Sequence, residues 1–206
     1  MITITLENIG KRFSHEWIFR RVNLQFSSGK SYAVLGPNGS GKSTLLQLIA
    51  NNQSPTEGKL TFSNGENIVS SDDVFSQISL CAPYMQLIEE FTLREQFHFH
   101  FSFKKALEGF DEDAIQEMLG LRQHLNKQIR YFSSGMKQRV KLCLSILSDV
   151  PVVLLDEPAT NLDENGIEWY KALLKNHING RLLIISSNRK EEYALCEEQI
   201  LLTDYK

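Results

Sequence analysis
Hydrophobic positions change period several times along the chain, and each change marks an element. Ile2, Ile4 and Leu6 alternate with polar residues between Met1 and Ile9, which predicts a strand, and Phe13 follows in a loop. Val22, Leu24 and Phe26 alternate in the same way before a turn at Ser28-Gly29. Ser31 to Leu35 is a short apolar run of strand character, and Leu45, Leu46, Leu48 and Ile49 then return at helical spacing. Asn51 to Gly58 is a turn cluster, followed by strands at Lys59 to Phe62 and Ile78 to Ala82, the latter ended by Pro83. Thr92 to Leu107 and Asp111 to Leu119 read as helices, the second opened by Asp111 with acids in its first turn. Ser133 or Ser134 caps a longer helix through Leu147. Val152 to Leu155 is a fully apolar strand, Asn165 to His177 a helix, Leu182 to Ile185 a strand, and Ile200 to Leu202 a last short one. Strands alternating with helices predict an α/β fold whose parallel sheet is covered on both faces.

Composition narrows the picture. A chain of 206 residues with 42% hydrophobic content builds one large domain, or one core with a small inserted subdomain. Its 22 Lys+Arg against 25 Asp+Glu give a net charge of −3, so no broad basic field exists and no nucleic-acid partner is expected. Cys81, Cys143 and Cys196 have no C-x-x-C spacing and read as buried thiols in a reducing compartment. The alternating N-terminus reads as a strand and not as a signal peptide. No apolar run approaches the ~18 residues that span a bilayer, so a membrane role would come through a partner.

The most informative stretch is Gly36 to Thr44, GPNGSGKST, which contains G-x-x-x-x-G-K-[ST] between a predicted buried strand and a helix start. Gly39 and Gly41 permit torsions that let successive N–H groups of the stretch Gly36-Pro37-Asn38-Gly39-Ser40-Gly41 surround one hollow, Pro37 alone having no N–H to offer. The helix beginning near Lys42 adds free N–H groups and its positive dipole end. Lys42 supplies a full charge for outer phosphates, the Ser43 hydroxyl can ligate Mg²⁺, and Thr44 follows in the first turn. A second stretch, Val152 to Pro158 (VVLLDEP), is a buried strand ending in two acids. Asp156 emerges at the carboxyl end of the sheet, where it can share a Mg²⁺ ion with Ser43. Glu157 points differently and can orient and deprotonate a water aimed at a γ-phosphate. Two acids closing a strand at the solvent edge is the plainer reading of this pair.

A third stretch, Tyr131 to Val140 (YFSSGMKQRV), lies some twenty residues before Asp156. Here the chain resembles the ABC-transporter ATPases. Their LSGGQ signature matches Phe132-Ser133-Ser134-Gly135-Met136, with Lys137, Gln138 and Arg139 after it. The resemblance covers essentially the whole chain. It implies a P-loop NTPase core with an N-terminal antiparallel β element and a helical subdomain inserted at about 91–130, the core being 1–90 and 131–206. It also implies ATP and Mg²⁺ as ligands, and a head-to-tail homodimer in which Ser133, Ser134, Gly135 and Met136 face the ATP of the other subunit. Phe13 takes the place of the aromatic that stacks on adenine, and Asp163, in Thr160-Asn161-Leu162-Asp163, lies in the loop that contacts the second subunit. The family works at the cytoplasmic face of a membrane with separate integral membrane subunits. A short single core is similar in layout to heme-exporter ATPases. A soluble ATP-driven switch and a low-turnover regulatory module are the alternative readings.

Three departures from the family pattern stand out. The Gln that ends the strand before the helical subdomain is displaced to Gln86, which puts its metal role in doubt. The His after the last core strand is absent, and Asn188 takes that position, with Ser187 the other choice. The signature has Ser134 for Gly and Met136 for Gln. Elsewhere, His98 and His100 would face apart on a helix. Lys137 and Lys141 read as a solvated face, and His177 as a surface residue. Phe97 and Phe101 share one helical face and Phe99 and Phe103 another, so a small subdomain is expected to leave one pair exposed to a membrane partner.

Overall fold
The computed structural model describes residues 1–205. Four strands, β1 (Ile2–Phe13), β2 (Glu16–Ser27), β4 (Glu57–Asn64) and β5 (Asn67–Ile68), form an antiparallel sheet in the order β2-β1-β4-β5. Five others, β3 (Ser31–Leu35), β6 (Ile78–Cys81), β7 (Val152–Asp156), β8 (Leu182–Ser186) and β9 (Glu198–Leu201), form a parallel sheet in the order β6-β7-β8-β3-β9. The helices are α1 (Lys42–Ile49), α2 (Ser71–Gln77), α3 (Leu93–Phe103), α4 (Glu112–Leu119), α5 (Ser134–Ile146), α6 (Glu164–His177) and α7 (Lys190–Tyr193).

The parallel sheet separates two cores. The pleat sends Val152, Leu154, Leu182 and Ile184 to one side, where they pack with α1 and the antiparallel sheet. Val153, Leu155, Leu183 and Ile185 go to the other, under α3 to α6. Every residue of β7 and β8 is buried, as a central parallel strand requires.

Several elements run beyond their sequence limits. β1 continues to Phe13, so Phe13 ends a strand and does not sit in a loop. The register against β2 shifts between Leu6 and Ile9, and Asn8 adopts φ 51°, so a bulge hides the later alternation. α2 was not foreseen, because Val74 is its one buried residue. α3 stops at Phe103, short of Leu107: the Leu107 amide bonds the Leu147 carbonyl at 2.8 Å, turning the chain onto the end of α5. Within α3, Phe97 is buried and Phe101 packs on the second core, while Phe99 and Phe103 are 44% and 63% exposed.

Other side chains also have firmer attachments than expected. His98 Nε2 lies 2.9 Å from Glu112 Oε2, and His100 Nε2 lies 2.9 Å from Ser148 Oγ, so the two rings face different partners. His177 is not free on the surface; its ring packs edge-on to Phe110 at 4.8 Å. Lys137 and Lys141 are half-buried rather than solvated, bonding Glu89 at 2.6 Å and the Ala82 carbonyl at 3.3 Å. Cys81 and Cys143 are buried and Cys196 is half-buried, all three as free thiols. Among the described residues, no helix is long and apolar enough to cross a membrane.

Candidate nucleotide site
The chain leaves β3 at Leu35 and enters α1 at Lys42 through the glycine loop. Gly41 caps α1 with φ 102°, and a Cβ there would lie 2.4 Å from Ile18 Cγ2. Both the torsion and the approach of β2 therefore demand glycine. The loop encloses a hollow of about 300 Å³ lined by Ile18, Asn38, Gly39, Gly41, Lys42, Ser43, Thr44 and Glu157. The rest of the loop is tied together beside it: Lys42 Nζ donates to the Gly36 carbonyl at 2.7 Å and to the Pro37 carbonyl at 3.3 Å, and the Ser40 amide to the Pro37 carbonyl at 3.1 Å. Burial lowers the Lys42 pKa, while the charges of Glu157 and Asp156 oppose that shift. The ammonium is thus desolvated, held by two carbonyls and close to two carboxylates. An incoming phosphate can replace the carbonyls as its partner.

Asp156 ends β7 and is 1% exposed, and its Oδ1 has no hydrogen-bond partner among the described residues. A buried carboxylate oxygen without a donor is costly unless a cation or donor meets it. The Ser43 hydroxyl stands at the start of α1, and both groups are oxygen donors of the kind that suits Mg²⁺. The residues present therefore fit that ion.

Glu157 follows in a strained conformation. Its φ is 44°, unusual for a residue with a Cβ and worth about 1–3 kcal/mol of strain. Its amide bonds the Ser186 carbonyl of β8 at 2.8 Å, and its carbonyl accepts from Thr160 at 3.1 Å. The residue lines the hollow.

Asn188 comes from the loop after β8, and its Nδ2 donates to Asn38 Oδ1 at 3.0 Å. Ser187, the alternative, is 1% exposed, and its hydroxyl accepts from the Arg189 amide at 2.8 Å, so it faces its own loop. Phe13 stands apart at the end of β1, 47% exposed, with Lys11 Nζ 5.0 Å over its ring; Ile18 lines the hollow in its stead.

The serine stretch opens a separate site. Ser133, not Ser134, caps α5, its hydroxyl accepting from the Met136 amide at 3.2 Å. Ser133 and Ser134 are exposed, Gly135 is half-buried, and Met136 leans on the second core. Gln86 is exposed and lines a cavity with Ser134, Lys137 and Asn161 instead of the phosphate hollow. Asp163 caps α6 by accepting from the Gly166 amide at 2.8 Å.

Sequence reading missed three residues around the site. Gln138 is buried in α5 and donates to the Pro158 carbonyl at 2.7 Å, tying the serine-capped helix to the Glu157 turn. Tyr84 is 46% exposed; the burial of the rest of the ring raises its pKa, a side-chain hydrogen bond with Gln47 opposes the rise, and the Asp156 charge adds to it. Glu192 is 2% exposed, and its Oε1 accepts from the Ala159 amide at 3.1 Å.

A parallel sheet with a glycine loop at its carboxyl edge, leading into a Lys-Ser helix start, defines a phosphate-loop nucleotide-binding fold. The sequence model of the ABC transporter family matches residues 19–160, and the chain belongs to that family. It is 28% identical over 211 residues to the sulfate/thiosulfate import ATP-binding protein CysA of Synechocystis, covering 100% of this chain and 59% of that one. It is 29% identical over 191 residues to the lantibiotic transport ATP-binding protein SrtF of Streptococcus pyogenes, covering 90% of this chain and 80% of the relative. Among solved structures, the dimeric bacterial ABC transporter cassette MJ0796 superposes with a TM-score of 0.78 at 25% identity, over 96% of this chain and 93% of that one.

Proposed function
We propose that this chain is the ATP-binding and ATP-hydrolysing subunit of a membrane transporter, powered by ATP-driven dimerisation. The observation that carries the reading is the convergence of Lys42, Ser43 and Glu157 on one hollow, with the unpartnered Asp156 at the strand end preceding Glu157. ATP lies with its phosphates in the loop, its β- and γ-phosphates on Lys42 and the N–H groups of residues 39–44. Ser43 and Asp156 would hold Mg²⁺, which when bound neutralises charge on the outer phosphates. Glu157 orients the attacking water and takes its proton. The second subunit presents Ser133 to Met136, with their helix N-terminus, to the γ-phosphate from the opposite side, and Asp163 lies in the loop between the subunits.

Hydrolysis is slow in this reading. Asn188 holds the position of the γ-phosphate sensor and donates through a neutral, shorter amide where a histidine offers a longer, titratable ring. A lost charge-assisted contact in the transition state costs about 2–3 kcal/mol, or some 30–150-fold in rate.

The membrane subunits dock on the apolar cavity of about 260 Å³ lined by Phe75, Met85, Phe99 and Phe103. That contact keeps the protein on the cytoplasmic face of the membrane. Two assays test the core of this reading: equilibrium binding of ATP and steady-state phosphate release. Wild type binds and hydrolyses, whereas Lys42→Ala loses binding. Equal nucleotide affinity in the two proteins would contradict it.

A further inference from the structure
Glu192 lies in α7, outside every motif of the nucleotide site, yet it is 2% exposed. Burial pushes its carboxyl above the ordinary range, and an isolated buried acid is costly. Its contacts span the two segments that bring chemistry to the hollow. Oε1 accepts from the Ala159 amide at 3.1 Å, two residues beyond Glu157. On its own side, the Glu192 amide bonds the Arg189 carbonyl at 3.0 Å, and Arg189 Nη1 lies 3.8 Å from Oε1. This closes the turn that carries Asn188, whose amide reaches Asn38 in the phosphate loop. Tyr170 Oη donates to the Glu192 carbonyl at 2.9 Å, fixing α7 to α6.

Glu157 needs such a brace, because its φ of 44° persists only where neighbours over-determine it. The Ser186 carbonyl holds its amide on one side. Glu192 holds the following turn on the other.

We propose that Glu192 is a positioning residue that locks the Glu157 turn to the Asn188 loop, so that the base and the γ-phosphate sensor keep one fixed spacing. The inference rests on the assignment of Glu157 as base and Asn188 as sensor. Reach is what matters: the carboxylate must extend from α7 to the Ala159 amide. Charge is secondary, since an amide oxygen accepts the same bond.

Two variants separate reach from charge. E192Q keeps the length and loses the charge, and E192D keeps the charge but falls one methylene short. The ATPase assay reads kcat and the KM for ATP, with melting temperature alongside. Wild-type turnover above background establishes the underlying hydrolase reading first, and its absence would overturn that reading independently. With turnover present, E192Q retains kcat within threefold of wild type. E192D loses at least tenfold in kcat, while KM stays within threefold because the phosphate loop is untouched. The proposal is overturned if E192D matches wild type, if E192Q is the more damaged variant, or if the loss in E192D tracks a rise in KM and a lowered melting temperature.

Discussion
The Asn188 side-chain amide donates a 3.0 Å hydrogen bond to Oδ1 of Asn38, joining the loop after β8 to the phosphate loop across 150 residues of sequence. Asn38 lines the hollow, so the bond places Asn188 beside a residue of its wall.

That contact predicts the effect of restoring a ring at the position. Asn188→His raises kcat tenfold or more, equivalent to about 1.4 kcal/mol of transition-state stabilisation. Ser187→His does not, because Ser187 is buried against its own loop and a ring there forces the loop apart. Steady-state phosphate release at saturating ATP checks both. No gain in the Asn188 variant would assign the sensor role to another group.

The exposed phenylalanine pair predicts a separable defect. Phe99 packs edge-on against Phe91 at 5.6 Å and Phe103 at 5.2 Å, two contacts worth about 1–3 kcal/mol together. Phe99→Ala with Phe103→Ala therefore lowers stability by no more than about that and leaves ATP binding intact. It abolishes recovery of the protein with detergent-solubilised membrane subunits. Undiminished co-purification would place the membrane contact elsewhere.

His100 predicts a pH dependence. Burial lowers its pKa from 6.5 to about 4, with nearby Lys104 adding to the effect, while a backbone contact at Leu144 opposes it. The unfolded chain takes up this proton first as pH falls. The stability contribution is therefore complete above pH 6.5, is lost progressively down to about 4, and amounts to at most about 3 kcal/mol. Thermal melts between pH 7 and 4.5 should show a shallower decline for His100→Gln than for wild type. Parallel slopes would remove His100 as a source of acid sensitivity.

What the sequence revealed depended on how local each signal was. Gly36 to Thr44 is readable because one short segment supplies strand end, loop, charge and helix start. β7 is readable because five buried positions leave no alternation to misread. The Ser133 cap was narrowed to two serines, and the hydrogen bond to Met136 decides between them. β1 past Ile9 was hidden because the bulge around Asn8 breaks the period. α2 was hidden because a short helix with one buried side chain, Val74, has no stripe. The roles of Gln138 and Glu192 stayed hidden for a different reason. Each acts on the backbone of the Pro158 to Ala159 turn from 20 or 33 residues away, and only the packing of α5, β7, β8 and α7 joins them.

The dimer is the claim on which transport depends, and Glu157→Gln tests it most directly. The substitution keeps the size of the side chain and removes the base, so ATP binds without being consumed. Size-exclusion chromatography with light scattering, run with and without ATP and Mg²⁺, reads the outcome. The account predicts a monomer without nucleotide and a stable dimer with it, which Lys42→Ala in the same background abolishes. A Glu157→Gln protein that binds ATP yet stays monomeric, or that hydrolyses it at the wild-type rate, would contradict the account.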